Sequence, residues 1–130
     1  MIVGKAIYNI LTNTSAVTDI VGVKIYPEIA PQNEAQPYLV YSVVGNSPTD
    51  TKEDNGNVDE AAIEVYCFNT TYSTAIDLGV AVRAALERKN GTFGGVEIQS
   101  INYTNEQMDV NPERKIWVAI QDYKIRITNN

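Results

Sequence analysis

A chain of 130 residues is long enough for one domain of ordinary size and too short for two. With 44% hydrophobic and 20% charged residues it has the composition of a folded globular protein, and a net charge of -6 argues against direct nucleic-acid binding, which needs clustered Lys and Arg. It contains no histidine, which removes the usual general base and the commonest zinc ligand, and its one cysteine, Cys67, can build neither a zinc site nor an internal disulfide.

The first element is a helix. Val3, Ile7, Ile10 and Leu11, with Ala6 beside them, recur at helical spacing over Ile2 to Thr12. Asn13-Thr14-Ser15 ends it, and Ser15 is placed to cap a shorter helical piece running to Val21 before Gly22 stops it. Val23 to Tyr26 is a short extended stretch. Pro27, Pro31 and Pro37 then restrict φ and remove donors, so the segment between them reads as a rigid connector without a ligand site. Tyr38 to Val44 is β-branched and aromatic and reads as the first full strand, ended by Gly45-Asn46-Ser47-Pro48.

Asn46 to Asn57 is polar throughout, with a hairpin turn signal at Asn55-Gly56, and reads as the exposed, mobile tip of a long hairpin. Val58 to Phe68 is the return strand, with Ala61, Ile63, Val65 and Cys67 facing the core. Glu60, Ala62, Glu64, Tyr66 and Phe68 form a second, partly polar face that a neighbour can cover. A central helix follows over Asn69 to Arg88, with Thr70 or Thr71 as its cap and Asn90-Gly91 as its stop. Ala75, Ile76, Gly79, Val82 and Leu86 make its core stripe. Leu78, Val80 and Ala81 widen the apolar surface beyond one face. Gly91 to Gly95 is a turn, Val96 to Tyr103 a third strand, Thr104 to Pro112 a polar connection, and Ile116 to Ile127 the closing strand. The order predicts an α+β fold: a four-stranded antiparallel or mixed sheet, helices packed on one face, and a protruding hairpin, all in one domain over residues 1–130.

No motif in this pattern carries chemistry. An EF-hand register that puts Gly56 at the loop's sixth position places Thr51 and Ala62 where ligands are required. Gly91-Thr92-Phe93-Gly94-Gly95 lacks the lysine of a phosphate loop. Glu60 and Glu64 share a strand face but read as solvated positions rather than as an acid–base pair. Cys67 reads as a small buried hydrophobe. There is no run of about 18 apolar residues and no basic-then-apolar leader, so the expectation is a cytoplasmically made protein with no enzyme activity, cofactor or metal.

One segment has a specific likeness. Ile25-Tyr26-Pro27, then Ala30-Pro31-Gln32, then Pro37-Tyr38 leading into a buried strand resembles the bacteriophage tail-completion, or tail-terminator, proteins. The helix Tyr72 to Leu86 and the closing strand fit the same family. The resemblance implies a structural role. A hexameric ring would sit on the head-proximal end of the tail tube, stop its polymerisation and dock it to the head connector. Its partners would be further copies of the chain, the tube protein and the connector protein, with DNA only passing through and no membrane contact. A head-side connector or adaptor of the phage neck is the alternative. Within this reading Asp50, Thr51, Lys52, Glu53, Asp54 and Asn55 are the candidate partner-docking tip. Tyr66, Leu78, Val80 and Ala81 are the candidate subunit interface.

Overall fold

The computed structural model describes residues 2–48 and 58–128, so the proposed docking tip Asp50 to Asn55 lies outside the described residues. Among the described residues three helices form one layer: α1 (Val3–Thr12), α2 (Ser15–Val21) and α3 (Tyr72–Leu86). On α1 the buried residues are Val3, Ala6, Ile7, Ile10 and Leu11, the i, i+3, i+4, i+7 and i+8 stripe that spacing demands. Thr14, rather than Ser15, is the N-cap of α2. Its hydroxyl turns back to donate to the Ile10 carbonyl at 2.7 Å and so ties the two helices together. At α3 Thr71 is the cap. Its Oγ1 accepts from the Thr74 amide at 3.2 Å while its own amide donates to Thr74 Oγ1 at 3.3 Å, a reciprocal closure of two orphan donors. Glu87, not Asn90-Gly91, caps its far end.

Among the described residues the sheet has six strands, not four: β1 (Ile25–Pro27), β2 (Tyr38–Pro48), β3 (Val58–Asn69), β4 (Gly91–Phe93), β5 (Val96–Asn111) and β6 (Ile116–Thr128), ordered β1-β2-β3-β6-β5-β4. The two additional strands are three-residue edges, too short for alternation to show. One of them, β1, runs parallel to β2, which makes the sheet mixed. β2 runs through the expected stop at Gly45 because a bulge between Val43 and Gly45 absorbs the irregularity. The expected polar connection after Tyr103 is instead the second half of β5, which pairs with β6 as far as Asn111 opposite Ile116. A second bulge between Tyr103 and Asn105 again hides the period from the sequence.

Register carries the core. Across β2, β3 and β6 one row reads Leu39, Cys67, Ala119, and the next Tyr41, Val65, Gln121. The third reads Val43, Ile63, Tyr123. Most of these side chains are enclosed and pack against the helices. Burial pushes the Cys67 thiol far above its ordinary range.

Among these rows Gln121 is an exception, a fully enclosed polar side chain. Its Nε2 donates to the Gly79 carbonyl at 2.8 Å and to Glu106 Oε1 at 3.0 Å, and its Oε1 accepts from the Tyr123 hydroxyl at 2.6 Å. A Cβ at Gly79 would stand 3.2 Å from Gln121 Nε2 and 3.6 Å from the Ala119 Cβ, so a larger residue would push Gln121 back by a few tenths of an ångström.

Gln121→Ala is expected to destabilise the fold by about 2–4 kcal/mol, since it opens a void and strands the Tyr123 hydroxyl; chemical denaturation checks this. Burial also raises the Tyr123 pKa above its ordinary 10.0. The folded state then holds a proton that the unfolded chain releases, so this contribution is complete below pH 10 and falls as pH rises past it. Denaturation midpoints measured above pH 10 should fall less steeply for Tyr123→Phe than for the natural chain.

Candidate functional site

Helices cover one face of the sheet, and the other face is built differently at its two ends. At the end where β2 begins, the outward row across β2, β3 and β6 reads Tyr38, Phe68, Val118, and the next reads Val40, Tyr66, Ile120. All but the buried Val40 are half-buried, although no helix lies over them. Tyr38 and Phe68 stack at 4.6 Å between ring centroids, and Tyr66 continues the stack at 6.3 Å from Phe68. Toward the other end the rows turn charged. Glu64 stands opposite Asp122 and Glu60 opposite Arg126. Like charges placed directly opposite are unfavourable. The Tyr66 hydroxyl relieves this by donating to Glu64 at 2.8 Å, a bond that raises the Tyr66 pKa.

The connector from β1 to β2 forms one wall of this apolar floor. Parallel strands oblige the chain to travel back along its own length between them, and residues 28–37 do so across the outward face. The wall and the Tyr38, Val40, Tyr66 and Phe68 part of the floor enclose a trough of about 570 Å³, bordered by Ile29 and Pro31 on the connector and by Arg114 and Ile116 at the β5–β6 turn. Two carboxylates help to anchor the connector. Glu28, at φ 64°, accepts from the Ser42 hydroxyl at 2.8 Å and from the Val43 amide at 3.0 Å. Glu34 accepts from the Tyr26 hydroxyl, which raises the Tyr26 pKa.

The expected interface residues are not brought together. Tyr66 lies in the trough. Leu78 is fully enclosed under α3 and cannot meet a neighbour in this fold, because the close approach of α3 to β6 turns that side of the helix inward. Ala81 packs partly against the core, and Val80 is 62% exposed on the far side of α3. The excess apolar surface on α3 is therefore mostly core. Reading the helix alone missed the trough, whose floor needs three strands in register. Its sequence signals were Tyr66 and Phe68 on the second face of the return strand and Ile116 at the start of the closing one. Among the described residues no cluster of acidic or thiol side chains is arranged to hold a metal ion, and no helix is long and apolar enough to cross a membrane.

A structural surface without chemistry matches what comparison with known proteins finds. The family model described as tail completion protein gp17 matches residues 5–128. The chain belongs to this family. It is thus a phage structural protein of tail completion and not an enzyme, as its inventory of side chains leads one to expect. No curated protein matches the chain in sequence. Its fold is similar to that of a chain in the virion of a native gene transfer agent particle, with a TM-score of 0.71, 17% identity, and coverage of 95% of this chain and 92% of that one. It is also similar to the gp17 protein of bacteriophage SPP1, with a TM-score of 0.55, 21% identity, and coverage of 99% and 89%.

Glu28 fastens the wall of the trough, so Glu28→Ala should release it. Amide hydrogen exchange over residues 28–37 is expected to speed up by tenfold or more, while the core strands keep their protection and global stability falls by only about 1 kcal/mol.

Proposed function

We propose that this tail-completion protein forms a ring, hexameric by the pattern of the resembling family, on the head-proximal end of a tail tube. There it stops further tube growth and presents the surface on which the head connector docks. The observation that carries the assembly is the apolar outward face of the sheet, part of which floors the trough. A domain of this size has already completed its core against three helices, yet it keeps Tyr38, Phe68, Tyr66, Val118 and Ile120 half-buried on the opposite face. Contiguous apolar surface of this kind, rimmed by charge, is how protein surfaces that meet other proteins are built. In the same reading Tyr66 belongs to the subunit contact, Val80 is an outlying contact on α3, and the stretch Asp50, Thr51, Lys52, Glu53, Asp54 and Asn55 reaches toward the tube. A net charge of -6 suits a conduit through which DNA passes without adhering. The place of action is the neck of the particle.

Val118→Glu puts a charge on this apolar face, opposite Phe68. It should change the stability of the isolated chain by about 1 kcal/mol or less and abolish ring formation under conditions where the natural chain forms rings, as read by native mass spectrometry. In particles assembled without the protein, tubes should be overlong and unjoined to heads, and adding the natural chain but not the variant should restore joining. Tubes of normal length in its absence would move the protein to the head side of the neck.

A further inference from the structure

Helix α3 presents a mosaic of its own at the surface. Tyr72 and Val80 are its two exposed large apolar side chains, and the half-buried Ile76 lies between them, one turn from each. The end of the helix is cationic. Arg83, Arg88 and Lys89 stand there against one acid, Glu87, which pairs with Arg83 at 2.6 Å. Among the described residues Arg88 and Lys89 are in no ion pair. The outward face of the sheet carries the converse pattern. Its apolar rows, Phe68 with Val118 and Tyr66 with Ile120, end at Glu64 and Asp122, which stand directly opposite each other. The Tyr66 hydroxyl and the Asn105 side-chain amide donate to these two carboxylates, but among the described residues no cation pairs with either. Lys124 stands one row further on, opposite Ala62, and Arg126 follows opposite Glu60.

The two mosaics stand at matching levels. Tyr72 meets Trp117 edge-on at 5.4 Å, the Gly79 carbonyl accepts from Gln121, and the Arg88 amide donates to the Ile101 carbonyl, opposite Ile125. Helix α3 therefore runs in the same sense as β6. Its apolar turns are level with Val118 and Ile120, and its cations are level with the rows from Asp122 onward. Two copies stacked face to back in the same orientation would thus set apolar on apolar and bring cations to a pair of carboxylates that repel each other. Copies of a chain with a net charge of -6 repel at a distance, so a contact between them needs opposite charges placed locally, and this one has them. The helix itself holds one acid, Asp77, at the level of the apolar rows, and the cation at that end of the sheet is Arg114. We propose that a second copy covers the outward face: α3 of one protomer lies across β3 and β6 of the next, with Tyr72, Ile76 and Val80 on the apolar rows and Arg88 and Lys89 beside Glu64 and Asp122. The contact uses a different surface on each partner and repeats from copy to copy, which is the kind of interface that closes into a ring. This rests on the ring reading above and adds which surface of the neighbor meets the sheet.

Reversing the charges tests it. One variant carries Arg88→Glu with Lys89→Glu, the other Glu64→Lys with Asp122→Lys, and thermal melts close to that of the natural chain verify that each folds. Native mass spectrometry of the natural chain should show rings, and each variant alone should need about tenfold more protein to form them or stay monomeric. An equal mixture should restore rings in which the two variants alternate, because each reversed surface then meets a reversed one and each natural surface a natural one. Val80→Glu, at an exposed position, leaves both charged groups in place and should also lose the rings. Rings formed by either reversed variant as readily as by the natural chain would mean that this face meets a different protein; that result would overturn the pairing and leave the ring reading standing. A mixture that stays monomeric, or rings from Val80→Glu, would overturn the pairing as well. A natural chain that forms no oligomer, alone or on isolated tail tubes, would sink the ring reading and this inference together.

Discussion

The separation between α3 and β6 is the constraint from which the rest of the structure follows. Glycine at position 79 lets the helix backbone reach Gln121, and Gln121 answers with a hydrogen bond to the Gly79 carbonyl. A carbonyl in a helix interior is already bonded along the helix, so this second bond fixes where the helix lies as well as that it lies there. Leu78 and Val82 are driven into the sheet as a result, and the apolar excess on α3 becomes core. The same side chain orients Tyr123, whose ring meets Tyr103 edge-on at 5.7 Å, and Tyr103 in turn lies under the Arg83 guanidinium at 3.8 Å. A short chain of polar and aromatic contacts thus runs from the buried center of β6 to the exposed surface of α3.

With the helices committed to one face, the other face is left to the connector. A parallel β1 obliges residues 28–37 to cross it, and that crossing converts a flat surface into a walled trough. The proline-rich segment is therefore tied to the topology. Its restricted backbone keeps the wall in place without a packed core beneath it, and the anchors at Glu28 and Glu34 supply the rest. Glu28 holds a left-handed backbone conformation that a non-glycine residue seldom adopts, and its carboxylate spans to β2 from there.

Much of this was legible in the residues. The stripe on α1 and the core faces of β3 and β6 follow from spacing, because each is a local periodic signal with nothing to interrupt it, while the sequence narrowed the α3 cap to Thr70 or Thr71 and the structure selects Thr71. Where a bulge broke the period, at Val43 and again at Tyr103, the strand looked as if it had ended and its second half was taken for loop. Edge strands of three residues, Ile25–Pro27 and Gly91–Phe93, are too short to carry a period at all. The trough was hard to see for another reason: Tyr38, Phe68 and Ile116 are far apart in the chain and come to line one trough only when three strands align. Leu78 and Val80 are two residues apart on a helix with apolar positions on several sides, and sequence alone could not say which of them faces inward.

Cys67 has a consequence of its own. It sits in the middle strand of the core, enclosed between Leu39 and Ala119, with its thiol held protonated by burial. In oxidising surroundings accessible thiols cross-link chains at random. Here the sulfur is out of reach as long as the domain is closed, so the fold itself keeps the cysteine reduced. The same thiol doubles as a built-in reporter: a reagent that labels it counts the chains that have come open.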